Sequence, residues 1–202
     1  PSDVPDWLAL LPRAALYVQD EVDVRHHPTL TRRWSKRGHH RQRNGRAPGR
    51  DQKAVMFAAV DWREGWCSYG FGYGRTADRF VDQLNHLVER SQTRGRIAIA
   101  LVDNAKIHPP WGAKLVREAV ARHGENLRLV YTPAYDPQAN PTERLFPPFR
   151  RAVTHNHRRD RVVALDQDAL DYFVGLDTHP ERALQHIGSP FAIKEDALCS
   201  VA

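Results

Sequence analysis

Apolar and polar residues alternate through AALYVQDEVDVR (14–25), the period-two signature of a strand with one buried face. Two further strand-like runs, AVMFAAVDW (54–62) and GWCSYGFG (65–72), flank Arg63–Glu64 with Gly65 behind them, which predicts a hairpin. After Thr76, a candidate N-cap, the period becomes helical, and Phe80, Val81, Leu84, Leu87 and Val88 share one face. GRIAIALVDNA (95–105) is almost continuously apolar and ends in polar residues, as expected of a strand buried on both faces. AKLVREAVARHG (113–124) predicts a helix with Leu115, Val116, Ala119 and Val120 inward and Gly124 as its stop, and LRLVYTP (127–133) predicts a short strand. In AYDPQANPTERL (134–145), Asn140 reads as an N-cap, Pro141 as the first helical residue and Glu143 as a capping-box carboxylate. Helical spacing resumes at Phe149, Ala152 and Val153. Two short helices are expected over 164–188, the second opening at Pro180.

This order gives an α/β fold: a three-strand antiparallel meander, then parallel strands connected through a helix, in one mixed five-stranded sheet flanked by helices. Residues 1–163 form the main domain, and 164–202 are read as its C-terminal helical extension and tail. No apolar run approaches the ~20 residues of a membrane span, and PSDVPDW does not resemble a signal peptide. The chain lacks a starting Met, as a fragment or processed chain would. Two cysteines, Cys67 and Cys199, are too few for a disulfide framework or a Cys-rich zinc site and suit a reducing cytosol.

Charge changes the picture. The net charge is +6, and residues 25–50 alone hold nine Lys and Arg with no Asp or Glu. A polyanionic partner is the natural inference. That partner is nucleic acid or an acidic surface, and Arg32, Arg33, Lys36, Arg37, Arg41, Arg43 and Arg46 are candidates to contact it; with a nucleic-acid backbone such contact would be salt-dependent and largely indifferent to sequence. Arg144, Arg150, Arg151, Arg158 and Arg159 are candidates to extend that surface.

Candidate chemistry rests on three acidic residues. Asp20 lies in the first strand, Asp103 at the polar end of the fourth, and Glu143 at the helix start after the fifth. Sites in open α/β sheets gather at strand ends and helix N-termini. Carboxylates brought together there repel unless a cation neutralises them, and oxygen ligands suit Mg²⁺. By position alone Glu21 or Asp23 is as good a candidate as Asp20, and Glu143 has the plain alternative of a helix cap.

Three sequence words decide between these readings. LYVQDEVDV, IALVDNAKIH and YTPAYDPQANPTERLF together resemble the catalytic domain of DDE transposases of the mariner-like superfamily, most closely its bacterial insertion-sequence branch. Asp20–Glu21 matches the family's D-E pair. Asp103, Asn104, Ala105 and His108 match D-N-A-x-x-H, and Pro133, Tyr135, Pro137, Asn140, Pro141 and Glu143 match P-x-Y-x-P-x-x-N-P-x-E. The spacing of Trp34 and Gly38 also resembles a family pattern. The resemblance implies an RNase H-like fold and DNA cleavage and strand transfer at transposon ends. Asp20, Asp103 and Glu143 would be catalytic and would hold Mg²⁺ or Mn²⁺, two ions in all, with Asn104, His108 and Asn140 in support. Water, then a DNA 3′-hydroxyl, would attack phosphorus without a covalent protein–DNA intermediate. It further implies double-stranded DNA as partner (transposon ends and target), a homodimer in synapsis, and a bacterial cytoplasmic, nucleoid-associated location. Family members carry helix-turn-helix DNA readers before this domain; none is evident ahead of residue 14, so end recognition is expected to lie outside this chain.

Two departures stand out. Asp103 and Glu143 are 40 positions apart, longer than the commoner family spacing, which the segment 112–126 can absorb. Pro147–Pro148 interrupts the helix after Glu143; a short turn over 141–146 and a fresh helix start near Pro147 are expected. The pairs His26–His27 and His39–His40 raise zinc but lack supporting cysteines. GFGYG (70–74) reads as turn glycines, and Trp62 and Trp66 as hairpin packing. Two rival functions remain at this level: a non-catalytic domesticated DNA-binding protein, and an RNase H-like structure-selective nuclease.

Overall fold

The computed structural model describes residues 13–32, 49–133 and 139–192. Five strands form one sheet: β1 (Ala14–Arg25), β2 (Lys53–Asp61), β3 (Cys67–Gly72), β4 (Ile97–Val102) and β5 (Leu127–Tyr131). Their spatial order is β3-β2-β1-β4-β5. β1 pairs antiparallel with β2 and β2 with β3, whereas β1–β4 and β4–β5 are parallel.

Helices cover both faces. Against one face lie α1 (Ala77–Gln92) and α2 (Lys114–His123), where Phe80, Leu84, Leu87 and Val116 pack on Tyr17, Val55 and Phe57. Against the other lie α3 (Phe146–Ala152), α4 (Val162–Thr178) and α5 (Pro180–Ile187), with Phe149, Leu165, Phe173 and Ile187 around Val18, Val22 and Met56. The helices after residue 162 thus share a core with the first strand. No helix among the described residues is long and apolar enough to cross a membrane.

Covering both faces explains where the periodicity misleads. β1 is the central strand, so its polar positions are not solvent-facing: Gln19 and Glu21 are buried. On α2 only Val116 and Ala119 are buried, while Leu115 is exposed, because the helix lies near the sheet's margin and presents a narrow face. Ala152, one position of the expected apolar face on α3, is also exposed. The first of the two late helices is not short, since α4 runs 17 residues across the sheet.

The hairpin forms as its turn chemistry predicts. Asp61 accepts the backbone N–H groups of Arg63 and Glu64, each at 2.8 Å, and Gly65 takes a φ of 72°. Trp66 packs edge-on to Tyr17 under the Arg90 guanidinium, a packing role for that indole.

Candidate active site

β1 and β4 are parallel, with Val18 opposite Leu101, so Asp20 and the chain leaving β4 at Asp103 meet at one end of the central pair. Asn140 fastens the third segment there. Its side chain accepts the Thr142 N–H at 3.1 Å, capping the 3-10 helix Pro141–Leu145, and donates to the Gln19 carbonyl at 2.8 Å. Asn140 is therefore both an N-cap and a tie to the residue preceding Asp20.

The proline pair is accommodated by a change of helix type. Phe146 N–H bonds to the Glu143 carbonyl, so the donor that Pro147 lacks is not needed there, and α3 starts afresh with the prolines in its first turn. Glu143 is exposed and its carboxylate has no hydrogen-bond or ionic partner among the described residues. The expected capping box does not form, since the 3-10 turn brings the Glu143 N–H, not its side chain, to Asn140, at 3.2 Å from the carbonyl.

The electrostatics are uneven. Burial, with the nearby charges of Glu21, Asp103 and Glu143, raises the Asp20 carboxyl to about 7, although the Glu21 N–H donates to it at 2.7 Å. Asp103 shifts the opposite way: His108 donates to its Oδ1 at 2.5 Å and the Ala105 N–H at 2.9 Å, which hold it ionised. His108 is fully buried and its Nε2 meets Glu21 Oε1 at 2.9 Å. Burial alone would lower its pKa, but hydrogen bonds to two carboxylates carry it to about 9. Both ring nitrogens face carboxylate oxygens, so both donate, and the ring is an imidazolium.

Glu21 and Asp23, equal to Asp20 by position, are engaged elsewhere. Glu21 binds His108 and Gln19, and Asp23 meets Arg25, Lys53 and Arg75. Arg75 also approaches Glu21 at 3.9 Å. Arg75 and Gln19 are the residues that sequence reasoning missed; a lone cation after turn glycines and a polar residue beside Asp20 were the only signals. Asn104 donates to the Thr132 carbonyl at 2.6 Å and anchors the loop after β4 to the chain leaving β5.

A family model of a DDE superfamily endonuclease matches residues 15–166, three quarters of the chain. The chain belongs to that family. It is similar to the insertion element IS630 uncharacterized 39 kDa protein of Shigella sonnei, 28% identical over 145 residues, which cover 71% of this chain and 40% of that protein. Among solved structures, the Mos1 strand transfer complex matches with a TM-score of 0.61 at 20% identity, covering 91% of this chain and 53% of that one. The Mos1 mariner paired end complex with Mn matches at 0.60 and 21%, covering 86% and 51%. These matches carry the fold, which is RNase H-like. The chain spans about 40% of the length of its curated relative and about half that of the Mos1 chains.

Among the described residues, no three His, Cys, Asp or Glu side chains are gathered closely enough to enclose a metal by themselves. The donor set nevertheless fits a hard divalent cation in an open site. All three candidate ligands offer oxygen, the Asp20 carboxyl lacks a neutralising partner among the described residues, and Asp103 keeps Oδ2 outside its bonds to His108 and Ala105. The His26 and His27 rings each meet a backbone carbonyl through Nε2, of Arg159 and Gly49 respectively, and neither belongs to a group of three metal-ligating side chains among the described residues. His39–His40, Trp34, Gly38, Tyr135, Pro137, Cys199 and the candidate DNA contacts Arg33, Lys36, Arg37, Arg41, Arg43 and Arg46 lie outside the described residues. Arg32 is exposed beside Thr31, whose hydroxyl and carbonyl accept from Asn156. Arg25 is paired with Asp51 and Arg159 with Asp168, and both arginine side chains stay half-exposed.

Proposed function

We propose that this chain is the catalytic domain of a DNA transposase, cutting phosphodiester bonds at transposon ends and transferring the freed strand to target DNA. The observation that carries the reading is the meeting of Asp20 on β1 with the chain leaving β4 at Asp103, where the Asn140–Gln19 bond also ties the turn that bears Glu143. Carboxylates so gathered suit a divalent cation. Asp20, Asp103 and Glu143 would hold Mg²⁺ or Mn²⁺, two ions by the family resemblance. When bound, the ions would polarise the phosphodiester and stabilise the attacking and leaving oxygens.

The chain's own residues prepare the site. His108 keeps Asp103 ionised and fixes which oxygen it presents. Asn104 steadies the loop that carries Asp103, and Asn140 holds the Glu143 turn against β1. Arg32, Arg33, Lys36, Arg37, Arg41, Arg43 and Arg46 would grip the DNA backbone, releasing counterions as they bind. The partners are double-stranded DNA at ends and target and a second copy of the chain in synapsis. This reading draws support from the paired-end and strand-transfer complexes of the similar Mos1 structures. The setting is the bacterial cytoplasm at the nucleoid, and the domain extends through α5.

The test is Mg²⁺- or Mn²⁺-dependent nicking of supercoiled plasmid and strand transfer of transposon-end duplex. Asp20→Asn, Asp103→Asn and Glu143→Gln are each expected to fall to background. Full activity in Asp103→Asn would sink the three-carboxylate mechanism. Independently of activity, Mn²⁺ should raise the thermal midpoint of the wild type and not that of Asp20→Asn.

A further inference from the structure

We propose that Trp111 is a stacking platform for an unpaired base of the DNA strand next to the scissile phosphate, an inference that rests on the transposase reading above. Trp111 is 76% exposed, in the loop that begins at Asp103 and ends at α2. That loop is tightly wound. Ala105 N–H bonds to Asp103, His108 N–H to the Ala105 carbonyl, and Gly112 and Ala113 N–H both to the Pro109 carbonyl. A Cβ at Gly112 would lie 2.6 Å from the Lys106 carbonyl oxygen, so the backbone turns back on itself just after the indole. The indole is thus exposed yet mounted on a fixed backbone.

Its position ties it to the carboxylates. The Tyr131 ring backs Trp111 at 5.4 Å between centroids, and the Tyr131 hydroxyl reaches towards the His108 carbonyl at 3.5 Å. His108 in turn bonds Asp103. Only two residues therefore separate the indole from a candidate catalytic side chain. The rings of Trp111 and Tyr131 are tilted by 50°, so Tyr131 supports the indole without stacking flat on it.

Charge selects the occupant. Residues 104–117 contain Lys106, Lys114 and Arg117 and no acidic residue. All three cations are exposed, although Lys114 also meets Glu118 at 3.6 Å. An exposed aromatic face on a segment that also carries three cations fits a nucleobase with its phosphates, since stacking needs a π-face and the backbone needs positive charge. A base within a duplex is already stacked on its neighbours, so the occupant is one released from pairing.

The test uses the full chain and a duplex with a short single-stranded overhang carrying one 2-aminopurine, titrated without divalent metal at fixed salt. Wild type and Trp111→Phe should perturb the 2-aminopurine fluorescence, and Trp111→Ala should lose both that signal and about 5- to 140-fold in affinity. An abasic residue at the stacked position should weaken wild type and leave Trp111→Ala unchanged, a difference that general damage to the loop would not produce. Equal affinity of Trp111→Ala and wild type, or no binding by wild type, overturns the proposal. A change in oligomeric state in place of DNA affinity also overturns it, since a second copy would then cover the indole. Wild type that binds and stacks but never cleaves with Mg²⁺ or Mn²⁺ leaves Trp111 as a stacking site for an unpaired base and removes the transposase reading, with the scissile phosphate, instead.

Discussion

Replacing His108 with Gln tests the electrostatic arrangement at its centre. The ring is fully buried and donates to Asp103 at 2.5 Å and to Glu21 at 2.9 Å. Its pKa rises from 6.5 to about 9 on folding, so its bonds to the two carboxylates outweigh the cost of burying the cation. At 1.36 kcal/mol per pKa unit this corresponds to about 3 kcal/mol. Leaving a buried ion without its partner typically costs ~3–5 kcal/mol, which agrees. Because the folded-state pKa lies above the unfolded one, the stabilisation is complete below pH 6.5 and disappears as pH climbs through about 9. His108→Gln should therefore unfold about 6–12 °C below wild type at pH 6, at ~2–4 °C per kcal/mol for a chain of this size. The gap should close towards pH 10. Thermal unfolding in EDTA from pH 6 to 10 measures it directly. Adding Glu21→Gln should recover part of the loss, since the second buried charge then disappears as well. A deficit that stays constant across that pH range would refute the imidazolium bridge.

Other elements of the fold give equally direct expectations. Gly65→Ala would put a Cβ 2.3 Å from the Pro180 carbonyl at a φ of 72°, and should cost roughly 2–4 kcal/mol in urea unfolding. Asn140→Ala removes the cap on Thr142 and leaves the Gln19 carbonyl unpartnered, so stability should drop by roughly 2–4 kcal/mol and metal-dependent cleavage should fall with it. Glu64 is held ionised against burial by Arg96, Arg94 and Arg90, so its contribution exists above its unfolded pKa and is lost as pH falls through the depressed folded value. Glu64→Gln should accordingly cost ~1 kcal/mol at pH 7 and converge with wild type in acid, read from denaturant midpoints across pH 2–7.

Most of the architecture was legible because each element carries its own period or punctuation. The glycines at 65 and 124 stop a turn and a helix where positive φ is required, and Pro180 starts α5. The fresh helix start near Pro147 followed from the missing N–H alone. What escaped is whatever depends on neighbours distant in sequence. Alternation in β1 suggested a wet face, yet Gln19 and Glu21 are buried because helices from both sides close over the central strand. Nothing local distinguished Asp20 from Glu21; the difference is that strand pleating turns Glu21 towards His108, 87 residues away. Arg75 could not be foreseen as a partner of Asp23 for the same reason.

The bond from Asn140 to the Gln19 carbonyl also bears on how such a chain can change over time. It fixes the third acidic segment to the first strand directly, so the position of Glu143 does not depend on the path taken between Asp103 and residue 139. The loops of that intervening chain enter mainly through loop closure, whose cost grows slowly with added residues. Within the interval of 40 positions, α2 and β5 are held by the core and the sheet, so variation in length falls to the connecting loops, which can change without re-aiming the site. Of the two residues that make the tie, only Asn140 acts through its side chain, since Gln19 supplies a backbone carbonyl that any residue would offer.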